Sequence, residues 1–207
     1  MGERASEVIP IQLQPFTSHD ISTASHLTKL TWGEEMSLDN EALKNVLYEA
    51  MVRYYFRSTE FSFKLTDAGE LQGFLLAAPL ALRDNSQGWL QQTLAPFTSS
   101  EQDLVYNYLR YLSYNGQRVR ALAQENALLL CLFLSRRAGV GSKLLQKVEA
   151  VAQKQNIKNL YLWADATCDY AYYRRRGYSE VDHFQNKILP ALGEQETWIY
   201  KKNLNKG

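Results

Sequence analysis

Arg136-Arg137-Ala138-Gly139-Val140-Gly141-Ser142 is the segment whose residue types and spacing could do chemistry. It lies between an unbroken apolar run, residues 126–135 (NALLLCLFLS), and a stretch at about 140–155. In that stretch Leu144, Leu145, Val148, Val151 and Ala152 share one helical face. Gly139 and Gly141 let the backbone turn tightly and let a ligand approach it closely. The helix that follows presents its free N–H groups and positive dipole end to the same place. Together these features make an anion site suited to a pyrophosphate. Ser142 could add a hydroxyl, and Arg136, Arg137 and Lys143 add positive charge. Two other phosphate motifs fit less well. A Walker loop ends in Gly-Lys-Ser/Thr, whereas here the order is Gly141-Ser142-Lys143. A dinucleotide fingerprint needs a third glycine where Leu144 stands, and belongs after the first strand of a βαβ unit. The plain alternative is a strand-to-helix turn that needs glycine for its shape alone.

Nucleophile and metal chemistry have weaker signals. Cys131 sits inside the apolar run and reads as a small buried hydrophobe. Cys168 as a nucleophile lacks a partner, because His183, the nearby histidine, has no evident carboxylate behind it. Cys131, Cys168 and His183 also lack the spacing of a zinc site, so no metal is expected.

The elements that would position these residues follow from periodicity and turn chemistry. Residues 10–16 alternate and read as an opening strand. Residues 20–34 read as a helix that Asp20 can cap, with Ile21, Ala24, Leu27 and Leu30 on one face. The clearest helix of this half is 40–57, and FSFKL, TDAGE and LQGFLLAA then spell a hairpin. Residues 81–124 break the rhythm with two turns and helical patterns that include Leu104, Tyr108, Tyr111 and Leu112. They read as a helical insert, serving as packing lid or as pocket wall. The apolar run is a central strand buried on both faces. After the helix at 140–155 come a strand at 159–165, a short helix at 170–176 that stops at Gly177, and strands near 178–187 and 196–203. The order predicts an α/β fold with a mixed sheet, built as one domain over residues 1–207.

Composition narrows the classes. The chain has 207 residues, 45% hydrophobic and 22% charged, as ordinary globular domains have. Twenty-three basic against 22 acidic residues give a formal charge of +1, without the basic excess of a nucleic-acid binder. Two cysteines exclude a disulfide framework. The N-terminus lacks a signal-peptide core, and the longest apolar stretch is far short of a membrane span. The expectation is a soluble, cytoplasmic protein with neither nucleic-acid nor membrane partners.

With both the glycine turn and the segment Tyr172-Tyr173-Arg174-Arg175-Arg176-Gly177-Tyr178 in view, the chain resembles the GNAT N-acetyltransferase superfamily. That family carries an Arg/Gln-x-x-Gly-x-Gly/Ala turn after its fourth strand, matched by Arg136, Gly139 and Gly141. It carries an aromatic-Tyr-x-x-x-Gly-aromatic signature downstream, with room between the two for one helix and one strand. The resemblance covers most of the chain except the insert. It implies a mainly antiparallel mixed sheet flanked by helices, with the insert between the third and fourth strands.

The resemblance also implies an activity: direct transfer of an acetyl group from acetyl-CoA to a primary amine. In the family the end of the fourth strand splays from the fifth and holds the pantetheine arm by backbone hydrogen bonds, a role that falls to Leu132, Phe133 and Leu134. The pyrophosphate would rest on amides from Arg137, Ala138, Gly139, Val140, Gly141 and Ser142, with Arg136 or Arg137 meeting a CoA phosphate. A backbone N–H of the fourth strand would meet the oxyanion. Tyr173 matches the family's general acid, which protonates the leaving thiolate; its ordinary reading is a packed aromatic. The family often has an Asn shortly before this helix. Here Asp165-Ala166-Thr167-Cys168-Asp169 has none, and Thr167 or Cys168 could fill the space.

The general base and the acceptor are left open. Glu125 and Asp165, at the start of the fourth strand and the end of the fifth, are the candidate bases, and the ordinary reading of each is a solvated surface carboxylate. Regions that build the acceptor site in the family offer Trp32, Glu34, Glu35, Met36, Trp89, Tyr106 and Tyr108 here. Aromatics with carboxylates suit a cationic amine, small or peptidic. A homodimer is the family's habit. The rival reading is a non-catalytic acyl-CoA-binding sensor or scaffold on the same fold.

Overall fold

A computed structural model of the chain describes residues 11–34, 38–189 and 193–204. Among them seven strands form one sheet. β1 (Gln12–Pro15), β2 (Phe63–Asp67), β3 (Glu70–Pro79) and β4 (Ala127–Ser135) run antiparallel in chain order. β5 (Asn159–Asp165) then joins β4 in parallel. β7 (Gln195–Asn203) and β6 (Ser179–Asn186) complete the sheet antiparallel, in that spatial order. The helices are α1 (Ile21–Trp32), α2 (Glu41–Tyr55), α3 (Gln87–Leu94), α4 (Ser99–Leu122), α5 (Val140–Lys154) and α6 (Tyr170–Arg175). This is the mixed, mainly antiparallel α/β architecture expected, with α3 and α4 forming the insert between β3 and β4. Among the described residues no helix is long and apolar enough to cross a membrane.

Local chemistry explains the boundaries. α2 begins where the Asn40 side chain accepts from the N–H groups of Ala42 and Leu43, at 3.1 and 3.2 Å. α4 begins with a capping box: Thr98 N–H donates to the Glu101 carboxylate at 2.9 Å and Glu101 N–H returns to Thr98 Oγ1. Asp20 does not cap α1 as expected. Its carboxylate turns back to accept from Thr17 N–H at 2.8 Å and pairs with Lys64 on β2, so it closes a short 3-10 turn at Ser18–Asp20 instead.

The sheet separates two apolar layers. Phe74, Leu76, Leu132 and Leu134 meet α1, α2 and the insert helices on one face. Leu75, Ala77, Leu128 and Leu130 meet Leu144, Leu145 and Val148 of α5 on the other. Each fully buried leucine here contributes about 1.5–3 kcal/mol of burial free energy. β4 changes its alternation midway. Leu76 pairs with Leu132 but Ala77 pairs with Leu130, leaving Cys131 as an extra residue. Before this bulge the even-numbered residues face α5. After it Phe133 faces α5, while Leu132 and Leu134 face α1 and α2. Burial pushes the Cys131 thiol up to about 11, in keeping with an inert packing residue.

Candidate functional site

The parallel pairing of β4 with β5 is short. It joins Ala127, Leu128 and Leu129 to Asn159, Leu160 and Tyr161, and stops there. β5 continues to Asp165 paired only with β7, and β4 continues to Ser135 paired only with β3. The strands therefore part just before the bulge, and two cavities occupy the wedge between them. The larger, of about 510 Å3, runs along Phe133, Leu134 and the turn through Arg136, Gly139 and Ser142. The smaller, of about 80 Å3, lies deeper, between Leu130–Phe133 on one side and Trp163 and Asp165 on the other. Trp32, Phe133, Thr167, Cys168 and Tyr173 line both.

The turn into α5 is built for close approach. Gly139 takes φ 84°, a left-handed conformation that favours glycine. Ser135 staples the loop: its hydroxyl donates to the Arg137 carbonyl at 3.0 Å and accepts from Gly141 N–H at 3.1 Å. Val140 N–H is spent on the Arg137 carbonyl. The N–H groups of Arg137, Ala138, Gly139 and Ser142 find no acceptor among the described residues. These free donors at a helix N-terminus suit a phosphate-bearing ligand. Arg136 makes no ion pair among the described residues, whereas Arg137 pairs with Asp67 on the hairpin. Arg176 reaches Ser142 Oγ and lies 5.2 Å over the ring of Tyr172, whose buried hydroxyl has no partner among the described residues. Of the residues expected to hold a cofactor, most border the larger cavity. Leu132 borders the smaller one instead. Val140 borders neither, because its side chain is buried against α5's own layer.

Tyr173 stands where the two cavities meet. Its ring packs against those of Tyr172, Tyr178 and Tyr200, with centroids 5.6, 5.8 and 6.1 Å away. The turn that ends α6 returns Tyr178 N–H to the Tyr173 carbonyl at 3.1 Å, which fixes the position of the helix end. Burial pushes the phenol well above its ordinary range, so it stays protonated at neutral pH.

Of the two candidate bases only Asp165 reaches this place. It is buried at the end of β5 and accepts from Tyr111 Oη at 2.7 Å, Thr167 Oγ1 at 2.7 Å, Thr167 N–H at 3.1 Å and the Cys168 thiol at 3.5 Å. Thr167 and Cys168 thus border both cavities with their polar atoms turned to Asp165. Burial, and next the charge of Asp165, push the Cys168 thiol up, which removes it as a nucleophile. Glu125 is displaced from the expected role. It is exposed, precedes β4 at the end where β4 and β5 are still paired, and borders neither cavity.

The acceptor-side expectations divide similarly. Trp32 and Tyr108 border the smaller cavity. Trp89 instead lies under Arg53, 4.4 Å from its guanidinium, and Tyr106 and Glu34 are exposed away from both cavities. Glu35 and Met36 lie outside the described residues. The residues not anticipated are Tyr55, Tyr111 and Trp163, which complete an aromatic lining, and Ser135. The insert does both jobs weighed for it: Val105 and Leu112 of α4 enter the core, while Tyr108 and Tyr111 line the cavity. Among the described residues no three His, Cys, Asp or Glu side chains converge as a metal site.

No protein-family model and no curated protein matches the chain. Solved structures do match its fold. An agmatine N-acetyltransferase superimposes with a TM-score of 0.56 at 10% identity, covering 93% of this chain and 99% of that one. Ard1 from Thermoplasma volcanium gives 0.55 at 14%, covering 94% and 98%. The ribosomal-protein-S18-alanine N-acetyltransferase from Escherichia coli gives 0.52 at 14%, covering 95% and 96%. Other matching structures are named as members of the GNAT family, and the chain has the fold of these acetyltransferases.

Proposed function

We propose that the chain is an acetyl-CoA-dependent N-acetyltransferase that moves the acetyl group directly onto a primary amine. The observation that carries this reading is the position of Tyr173 in the wall shared by the larger, phosphate-suited cavity and the smaller, aromatic one. Free N–H groups of the turn would hold the pyrophosphate, and the unpaired edge of β4 would hold the pantetheine arm. Acetyl-CoA supplies the activated acetyl group. The amine, having lost its proton to Asp165 directly or through water, forms the new C–N bond. The C–S bond breaks, and Tyr173 delivers its proton to the departing sulfur. A β4 N–H beyond the split would meet the carbonyl oxygen. The neighbours in fold are named as N-acetyltransferases, which supports the same reading.

Tyr173→Phe tests it. The ring contacts remain, so calorimetric affinity for acetyl-CoA should stay the same while turnover falls about 10²–10⁴-fold. Turnover within a few-fold of the parent would remove the acid role. Absence of saturable acetyl-CoA binding in the parent would remove the whole reading. Binding without turnover on any amine would leave an acyl-CoA sensor.

A further inference from the structure

We propose that the smaller cavity is a receptor for a compact aliphatic primary amine, held as its ammonium between the faces of Trp32, Tyr55, Tyr108, Tyr111 and Trp163 and against Asp165. The inference rests on the reading above and narrows its acceptor. Charge is the first argument. Asp165 is only 7% exposed, and among the described residues no Lys, Arg or His forms an ion pair with it. Its partners are neutral donors: Tyr111, Thr167 and Cys168. A carboxylate buried this far without a counter-charge is costly, and a bound ammonium supplies that charge.

The walls are the second argument. Tyr111 and Trp163 meet edge to face with centroids 5.7 Å apart, and Tyr108 follows at 6.2 Å from Tyr111, so aromatic surface continues around the carboxylate. Aromatic faces attract an alkylammonium while also covering its apolar chain. Third, Tyr55 borders the same cavity at 2% exposure, and its hydroxyl has no hydrogen-bond partner among the described residues. A buried hydroxyl left open this way is satisfied by a polar atom of the ligand. Size is the last. The cavity, at about 80 Å3, is small: enough for an ammonium on a short chain and too little for a sugar ring. The ligand is thus a short alkylamine, bound more tightly if a second hydrogen-bonding group sits where it can reach Tyr55.

The test is direct titration of the full chain, without acetyl-CoA, followed by the fluorescence of Trp32 and Trp163 and by calorimetry. The probes are propylamine, 3-aminopropanol, 1-propanol, glucosamine and a short peptide with a free N-terminus. Propylamine should saturate at one site per chain, and Asp165→Asn should weaken it at least about thirtyfold, as removal of a buried charge partner does. 3-Aminopropanol should bind more tightly than propylamine, and Tyr55→Phe should abolish that preference without touching the Asp165 network. Three results would overturn the proposal: 1-propanol binding as well as propylamine, glucosamine or the peptide binding more tightly, or propylamine affinity surviving in Asp165→Asn. A separate failure of acetyl-CoA to bind would strike the transferase reading and leave the amine receptor standing.

Discussion

Replacing Gly73 by alanine should unsettle the glycine turn from the opposite strand. Gly73 lies on β3 across from Ser135, and the carbonyl of its neighbour Gln72 accepts from Arg136 N–H at 2.9 Å. An added Cβ would stand 2.7 Å from the Leu134 carbonyl oxygen, 2.9 Å from a Val140 methyl and 3.1 Å from Ser135 Cα. Ordinary contact begins at 3.4 Å, so β4 must retreat by roughly 0.7 Å just before it feeds the turn. Overpacking of this kind costs about 1–3 kcal/mol. Stiffening the unfolded chain returns about 0.4–1 kcal/mol. The net loss is about 1–2 kcal/mol of stability, read as a lower urea midpoint with unchanged slope. The displaced turn should also bind acetyl-CoA about tenfold more weakly, a change of ~1.4 kcal/mol. Gly116→Ala is the matched control. Gly116 lies within α4 with nothing within 4 Å of its added Cβ, so the change should stabilise by about 1 kcal/mol and leave binding alone. If Gly73→Ala keeps the parent's midpoint and affinity, contact from β3 does not locate the turn and the argument fails.

Other outcomes follow from the same geometry. Ser135→Ala removes both bonds of the loop staple, and should cost about 1 kcal/mol of stability and a few-fold in acetyl-CoA affinity by calorimetry. Unchanged affinity would mean the turn holds its shape without the staple. Asp20 gives an acid-side prediction. Burial raises its pKa, but bonds from Lys64 and Thr17 outweigh burial and leave it below the ordinary 3.8. A group depressed in this way stabilises the fold above its unfolded pKa, and that contribution is lost as pH falls through the folded value. The Asp20→Asn variant should therefore melt lower than the parent near pH 6, with the gap closing towards pH 3. A gap independent of pH would place the effect in packing.

The helix from 140 was legible because its apolar residues keep to one face, and the strand at 159–165 because a short apolar run stands between polar neighbours; both are found where the pattern puts them. Tyr173 and the glycine turn were legible because both are short-range motifs whose meaning does not depend on a distant contact. What stayed hidden depends on the third dimension. An unbroken apolar run has no alternation to interrupt, so the bulge at Cys131 left no trace in it. Tyr55 and Tyr111 keep core spacing on their helices, and a residue bordering a small cavity shows the same spacing as one in solid packing. Glu125 and Asp165 both sit at strand ends. Only the pairing register says that β4 and β5 stay joined near the first and part toward the second. Gly73 looked like an ordinary hairpin residue until its distance to Leu134 was known.

The extra residue in β4 also sets what this chain can lose. At Cys131 the molecule counts a position more than it uses a side chain: the thiol donates only weakly, at 3.5 Å, to its own strand. Exchange for another small apolar residue should therefore cost the fold little, and any effect should show at the smaller cavity that Cys131 borders. Deleting the residue would leave the faces as they are: Leu132 would follow Leu130 directly, with Leu132 and Leu134 still toward α1 and α2 and Phe133 still toward α5. What the deletion removes is the local bend, which the bulge adds just past the point where β4 leaves β5. In this strand the spare residue shapes the path of the backbone and leaves the choice of faces to the ordinary alternation.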